Sequence, residues 1–272
     1  MAAELDKFPL QAWLPQIIMI ARETGEEILH YYDADRQLEV MVKPDTTPLT
    51  EADLAANGVV VESLQLLTPH IPVLSEESDI PPFATRQGWE TYWLVDPLDG
   101  TMEFIHRNGE FTVNIALIHR QEPILGVIYA PVDDVVYYAR RGHGAYKKVE
   151  NNRPQAITCR TLDMECFTIA SSRSYANPEV QAFITKLGDH ELIIKGSSLK
   201  SCLVAEGRAD LYARLGPTSE WDTAAAQCIV EEAGGRITDT RMQPLRYNTK
   251  DILLNPEFFV FGRDSKDWSE FL

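Results

Sequence analysis

Two short apolar runs in this chain of 272 residues each end in carboxylates. The first, Ile71 to Leu74, runs into Ser75-Glu76-Glu77-Ser78. The second, Tyr92 to Val95, reads as a buried strand and runs into Asp96-Pro97-Leu98-Asp99-Gly100-Thr101. Pro97 is expected to stop that strand, and Gly100-Thr101 to turn the chain. Four acids delivered together by two strand ends would repel unless cations sat among them. Donors that are all oxygen suit a small hard cation, and magnesium is the expected one.

Each of these residues has a plainer explanation. Asp96 and Asp99 fit ordinary turn chemistry before glycine. Glu76 and Glu77 alone would read as a solvated loop. Asp53, three residues after Thr50, closes a capping box at a helix start, and on spacing alone that reading leads. Asp222 before Thr223-Ala224-Ala225-Ala226 reads as a helix N-cap, and Thr101 could cap a short helix. Other phosphate and metal motifs are excluded. Asp96 and Asp99 are three apart, whereas the haloacid-dehalogenase pair is two apart. The calcium loop of an EF-hand and the phosphate loop GxxxxGK[ST] are both absent. Gly196-Ser197-Ser198-Leu199-Lys200 follows a strand-like run and opens a helix-like one, so its amides could meet an anion.

The elements expected to position these residues follow from periodicity. Leu10 to Leu29 has helical spacing. A loop with Lys43, Pro44, Asp45 and Pro48 leads to a helix from Thr50 to Leu67, ended by Thr68-Pro69. Three antiparallel strands are expected at Thr112–Ile118, Pro123–Tyr129 and Val135–Ala139, with turns at Gln121-Glu122 and Val132-Asp133-Asp134. Asn151 to Pro154 marks a boundary between an α+β unit, 1–150, carrying most of the acids, and an α/β unit, 151–272, carrying Asp222. In the second, strands at Phe167–Ala170, Glu191–Lys195, Asp210–Ala213 and Phe258–Phe261 alternate with helices at Pro178–Leu187, Ser197–Glu206 and Asp222–Ala233. Such an order predicts a layered sandwich with its site in the crevice.

Composition narrows the partners. With 25 basic and 41 acidic residues the net charge is -16, a poor basis for gripping a nucleic-acid polymer. The cysteines Cys159, Cys166, Cys202 and Cys228 show no CxxC spacing, which argues against zinc or a disulfide framework and fits a reducing cytoplasm. Neither a signal peptide nor a transmembrane segment is expected: the apolar stretch Trp13 to Ala21 is short and holds Pro15 and Gln16.

Taken in order, Asp53, Glu76-Glu77, Asp96 to Thr101 and Trp221-Asp222 resemble the signature of the inositol monophosphatase family, lithium-sensitive and magnesium-dependent phosphomonoesterases. The resemblance spans nearly the whole chain. Within the family, Arg107 to Asn114, Gly196 to Lys200 and Arg214 to Thr218 resemble the branch acting on nucleotide bisphosphates. The resemblance implies an α-β-α-β-α fold. It implies Glu76, Asp96, Asp99 and Asp222 as metal-binding carboxylates, the Leu98 carbonyl as a further ligand, and Asp96 bridging two of two or three magnesium ions. Gly100 and Thr101 would offer amides to the phosphate. Asp53 and Thr101 would orient or activate the attacking water, with Glu77 as a further base or holder of a metal's water. Ser198, Lys200 and Arg214 would join Glu76, Leu98, Asp99, Gly100, Thr101 and Asp222 around the substrate.

The implied reaction removes the 3'-phosphate of adenosine 3',5'-bisphosphate to give AMP, with 3'-phosphoadenylyl sulfate as a related substrate, clearing a by-product of sulfate activation. Two metal ions about 3.5–4 Å apart would bind the phosphoryl oxygens and lower the pKa of water, so no nucleophilic serine or cysteine is needed. The rivals are an inositol- or sugar-phosphate phosphatase, and a non-catalytic metal- or nucleotide-binding regulator. A monomer or homodimer is expected, and bacterial relatives imply peripheral association with the inner membrane. Two departures stand out: Met102 occupies a position where these nucleotidases often carry lysine, and Ala224 to Ala226 a position often containing glycine.

Overall fold

The computed structural model describes residues 7–33, 40–43, 48–163, 165–173, 177–263 and 266–272. Pro44 and Asp45 of the expected loop lie outside them. Helix α1 (Leu10–Tyr32) buries Ile17, Ile20, Ala21 and Ile28 along one stripe, as the helical spacing predicts. Strands β1 (Val40–Val42) and β2 (Pro48–Thr50) form a small antiparallel ribbon leading into α2 (Glu51–Leu67). Strand β3 (Val73–Ser75), a short α3 (Phe83–Arg86) and β4 (Thr91–Asp99) follow, then a five-residue α4 (Thr101–Ile105). Strands β5 (Thr112–His119), β6 (Glu122–Ala130), β7 (Val135–Arg140), β8 (Ala145–Val149) and β9 (Gln155–Ile157) complete a seven-stranded sheet ordered as in the chain. Only its first pair, β3 with β4, is parallel.

The rest of the chain forms β10 (Thr168–Ser171), α5 (Pro178–Lys186), β11 (Glu191–Ile194), α6 (Leu199–Ala205), β12 (Leu211–Arg214), α7 (Glu220–Glu232), β13 (Arg236–Asp239) and β14 (Phe258–Phe261). Their strands make a mixed five-stranded sheet, ordered β11-β10-β12-β14-β13. Helices α1 and α2 cover one face of the seven-stranded sheet, and α6 and α7 lie between the two sheets. Phe183 and Ile184 of α5, with Trp268, pack on Phe259 and Phe261 at the outer face. The layers therefore run α-β-α-β-α. Covered on both faces, β4 alternates Trp93 and Val95 towards one core with Tyr92 and Leu94 towards the other. That is why its sequence is continuously apolar.

Several expectations change in detail. Pro97 does not stop β4, which runs on to Asp99 through a register shift between Asp96 and Asp99. Strand β3 pairs only with Trp93 to Val95, so at Pro97 no ladder bond is owed on that side. Glu122 lies in β6, and the turn before it uses Arg120 and Gln121 at φ 50 and 67. The Asn151–Pro154 segment is a turn between paired strands: Gln155 to Ile157 pairs with Ala145 to Lys147, so the larger sheet continues past 150. Strand β13, absent from the expected elements, flanks β14. Ser219, not Asp222, caps α7, and Asp222 closes the capping box three residues in.

Contact between the halves is close at one point. A Cβ on Gly126 of β6 would strike the Ala225 carbonyl oxygen and lie 3.0 Å from Cys228 Cβ. Glycine thus lets α7 press against the larger sheet. All four cysteines are free thiols, three buried and Cys166 exposed. Among the described residues no helix is long and apolar enough to cross a membrane.

Candidate active site

Glu76, Asp96 and Asp222 meet, each offering a carboxylate oxygen within 4.8 Å of the others. Three elements deliver them: the turn after β3, the end of β4 and the first turn of α7. In a regular strand Asp96 and Asp99 would face opposite sides, and the register shift between them is what lets both serve one site. Asp99 stands beside the trio rather than in it. Its Oδ2 accepts from the Ser198 amide and hydroxyl, both at 2.7 Å, and from Asn114 Nδ2 at 3.2 Å. The Leu98 amide donates to Asp96 Oδ1 at 3.1 Å. Gly100 at φ 96 supplies the left-handed bend that starts α4 at Thr101.

The capping readings and the site readings hold together. Asp53 Oδ2 accepts from the Thr50 amide at 2.7 Å and its hydroxyl at 2.6 Å, while Oδ1 accepts from the Thr101 hydroxyl at 3.0 Å. A carboxylate pinned at a helix start thereby orients a hydroxyl at the strand end. Asp222 Oδ2 accepts from the Ser219 amide at 2.9 Å in the same role at α7.

The electrostatics are those of crowded acids. Burial, then the charges of Glu76, Asp99, Asp222 and Asp53, push the Asp96 carboxyl well above the usual range. Burial, then Asp99 and Glu76, do the same to Asp222. Burial raises Asp53 despite its three hydrogen bonds, and raises Glu76 against the pull of Lys43. Glu77 is pushed up to about 7, mainly by burial. Lys43, to which the sequence reading gave no role, donates to Glu76 at 2.7 Å and Glu77 at 2.5 Å. Three converging carboxylates, Asp96 buried and Glu76 and Asp222 half-buried, with only oxygen donors fit a hard divalent cation, which would relieve their mutual repulsion.

Next to the acids opens a cavity of about 250 Å³. Asp99, Gly100 and Asp222 line it on one side, with Ser198, Lys200, Tyr212 and Arg214 also in its wall. Lys200 is 6% exposed, donates to the Ser197 carbonyl at 2.6 Å, and has its pKa lowered mainly by burial. Arg214 donates to the Pro217 carbonyl at 2.8 Å, while its Nε and the Ser197 hydroxyl are buried without a partner among the described residues. Orphaned donors and a desolvated ammonium in one cavity wall suit an anionic ligand. Met102 also lines the cavity, half exposed, and brings no charge to it. Glu103 also lines the cavity, and neither it nor Tyr212 was expected from the sequence, because no motif marks them.

A sequence model of the inositol monophosphatase family matches residues 10–267. The chain is 48% identical over 247 residues to the 3'(2'),5'-bisphosphate nucleotidase CysQ of Escherichia coli (strain K12), covering 91% of this chain and 98% of the relative. It is 40% identical over 257 residues to the enzyme of that name from Haemophilus influenzae, covering 94% of each. Among solved structures, CysQ from Bacteroides thetaiotaomicron, described as a bacterial member of the inositol monophosphatase family, superposes with a TM-score of 0.78. It shares 42% identity and covers 91% of this chain and 96% of that one.

Proposed function

The chain belongs to the inositol monophosphatase family, and from that premise we propose that it hydrolyses the 3'-phosphate of adenosine 3',5'-bisphosphate, giving AMP and phosphate. 3'-Phosphoadenylyl sulfate is a related substrate. The observation that carries the choice of a doubly anionic substrate is the cavity itself. Its wall contains two of the acids, Asp99 and Asp222, and also two cations, the buried Lys200 and the half-buried Arg214. A phosphomonoester with a single anionic group would need only the acidic end.

Glu76, Asp96 and Asp222 would hold magnesium, with Asp99 and the Leu98 carbonyl completing the donor set. Magnesium bound there supplies Lewis-acid stabilisation of the phosphoryl charge and lowers the pKa of the attacking water. Asp53 holds the Thr101 hydroxyl in place, and Thr101 orients that water. Glu77, raised to about 7, is suited to accept or return a proton near neutrality. Gly100 and Thr101 present amides to the phosphate. Lys200 and Arg214 bind the second anionic group of the nucleotide, with Ser198 between them and the acids. We further infer two or three magnesium ions in turnover, and inhibition by lithium, a small hard cation that competes for the same oxygens.

The test is phosphate release from adenosine 3',5'-bisphosphate and inositol 1-phosphate side by side, with magnesium and with or without lithium. Strong preference for the nucleotide, suppressed by lithium, is expected. Preference for inositol 1-phosphate would overturn the substrate assignment and keep the phosphatase site.

A further inference from the structure

We propose that Glu110 is a positioning residue for the metal-binding acids, acting on them through the Gly196–Ser198 turn. The inference rests on the reading of Asp99 and Asp222 as metal-binding groups. Glu110 is 7% exposed and lies on the segment leading into β5. Its Oε2 accepts from the Gly196 amide at 2.9 Å. Its Oε1 accepts from Arg173 at 2.6 Å and faces Lys195 Nζ at 3.3 Å. The backbone of Glu110 is wedged between two turns. A Cβ on Gly196 would lie 2.6 Å from the Glu110 carbonyl oxygen, and one on Gly100 3.4 Å from the same atom. So both glycine turns at the site are built against this one residue.

Beyond Gly196 the turn is strained and then fastened. Ser197 holds φ 44, a left-handed conformation that L side chains avoid unless their surroundings impose it. Ser198 follows, and its amide and hydroxyl both reach Asp99 Oδ2 at 2.7 Å. The same hydroxyl lies 2.9 Å from the Asp222 carbonyl oxygen and accepts from Asn114 Nδ2 at 2.9 Å. Ser198 therefore ties an acid of the larger sheet to the start of α7. Glu110 anchors the near end of the strained turn, and the two acids anchor the far end. Without the Glu110 carboxylate, Ser197 is free to relax, Ser198 loses its aim, and the Asp99 carboxylate loses two of its donors.

Calorimetric titration with manganese(II), on chains checked for folding by circular dichroism, tests this. Wild type is compared with Glu110→Ala, Glu110→Gln, Glu110→Asp, Ser198→Ala and the double Glu110→Ala/Ser198→Ala. Glu110→Ala and Ser198→Ala are each expected to weaken binding by about 10–100-fold, the usual range for groups that orient metal ligands. The double variant should bind no more weakly than Glu110→Ala, because the aim of both Ser198 donors, amide and hydroxyl, already depends on Glu110. Glu110→Gln keeps an acceptor at full reach and should stay within severalfold of wild type, whereas the shorter Glu110→Asp should not. If Glu110→Ala does not fold, the Gln and Asp variants carry the comparison. Additive losses, unchanged affinity in Glu110→Ala or Glu110→Asp, or a loss in Gln with none in Asp would overturn the proposal. A wild-type chain that takes up no manganese would overturn the site reading and this inference with it, whereas wild-type binding with unaffected variants overturns this inference alone.

Discussion

At the scale of single residues, Asp96 has the sharpest consequences. It is 2% exposed, and four other carboxylates raise its pKa after burial does. Replacing it by asparagine removes a carboxylate from the proposed metal site, and activity should fall by about a thousandfold. In the metal-free chain the same change relieves the crowding of carboxylates around it, so thermal unfolding near neutral pH should show a gain in stability. A loss in both assays would mean that Asp96 is structural. A pH dependence follows from the same crowding. Asp96, Asp222, Glu76 and Asp53 all have pKa values raised above their ordinary ones in the fold. The folded state then binds more protons than the unfolded one. The associated stability is complete below the ordinary values of 3.8 and 4.5 and is lost as pH rises through the raised ones, with Glu77 reaching about 7. Chelated protein should therefore melt at falling temperature from about pH 5 to pH 8, and magnesium should flatten that slope. An equally flat profile without metal would contradict the crowding. The acids themselves were legible because their types and order make a signature. Lys43 and Glu110 were not, because their importance lies in contacts with residues 33 and 86 positions away.

At the scale of elements, two capping boxes do double work. Thr50 with Asp53 starts α2, and Ser219 with Asp222 starts α7, each placing a site carboxylate at its third helical residue. Sequence spacing made the first box visible, and Asp222 looked like a cap because it stands directly before Thr223-Ala224-Ala225-Ala226. It also made Pro97 look like a stop. The strand continues because β3 has already ended its pairing there, a fact about the neighbouring strand that no local pattern carries. Ser219→Ala tests the dual role. Loss of the cap should cost about 1 kcal/mol of stability. Because the frayed turn carries Asp222, metal affinity should fall as well, beyond what the stability change alone explains. Unchanged affinity in a destabilised variant would show that Asp222 is held by packing rather than by its helix start.

At the scale of the whole molecule, the site is also a joint. Glu76 and Asp96 come from the larger sheet, Asp222 from the helix layer between the sheets. That layer belongs to both halves: α7 packs on β4 to β8 and also on β13. Leu94, Ala116 and Ile128 share one buried cluster with Ala225, Ile229, Ile237 and Val260. A sequence reading could divide the chain near residue 150 because the element order changes there. It could not show that α7 crosses back to seal the first half, since sequence periodicity tells which face is apolar and not what covers it. A shared core unfolds cooperatively. Scanning calorimetry of the metal-free chain should therefore show one transition, with calorimetric and van't Hoff enthalpies equal. Cation binding to the folded state alone should move that transition upwards as a unit, by about 2.7 kcal/mol at a hundredfold excess over the dissociation constant. Two transitions in the metal-free chain, only the second shifted by magnesium, would mean that the halves fold separately and that the cation, rather than α7, is what joins them.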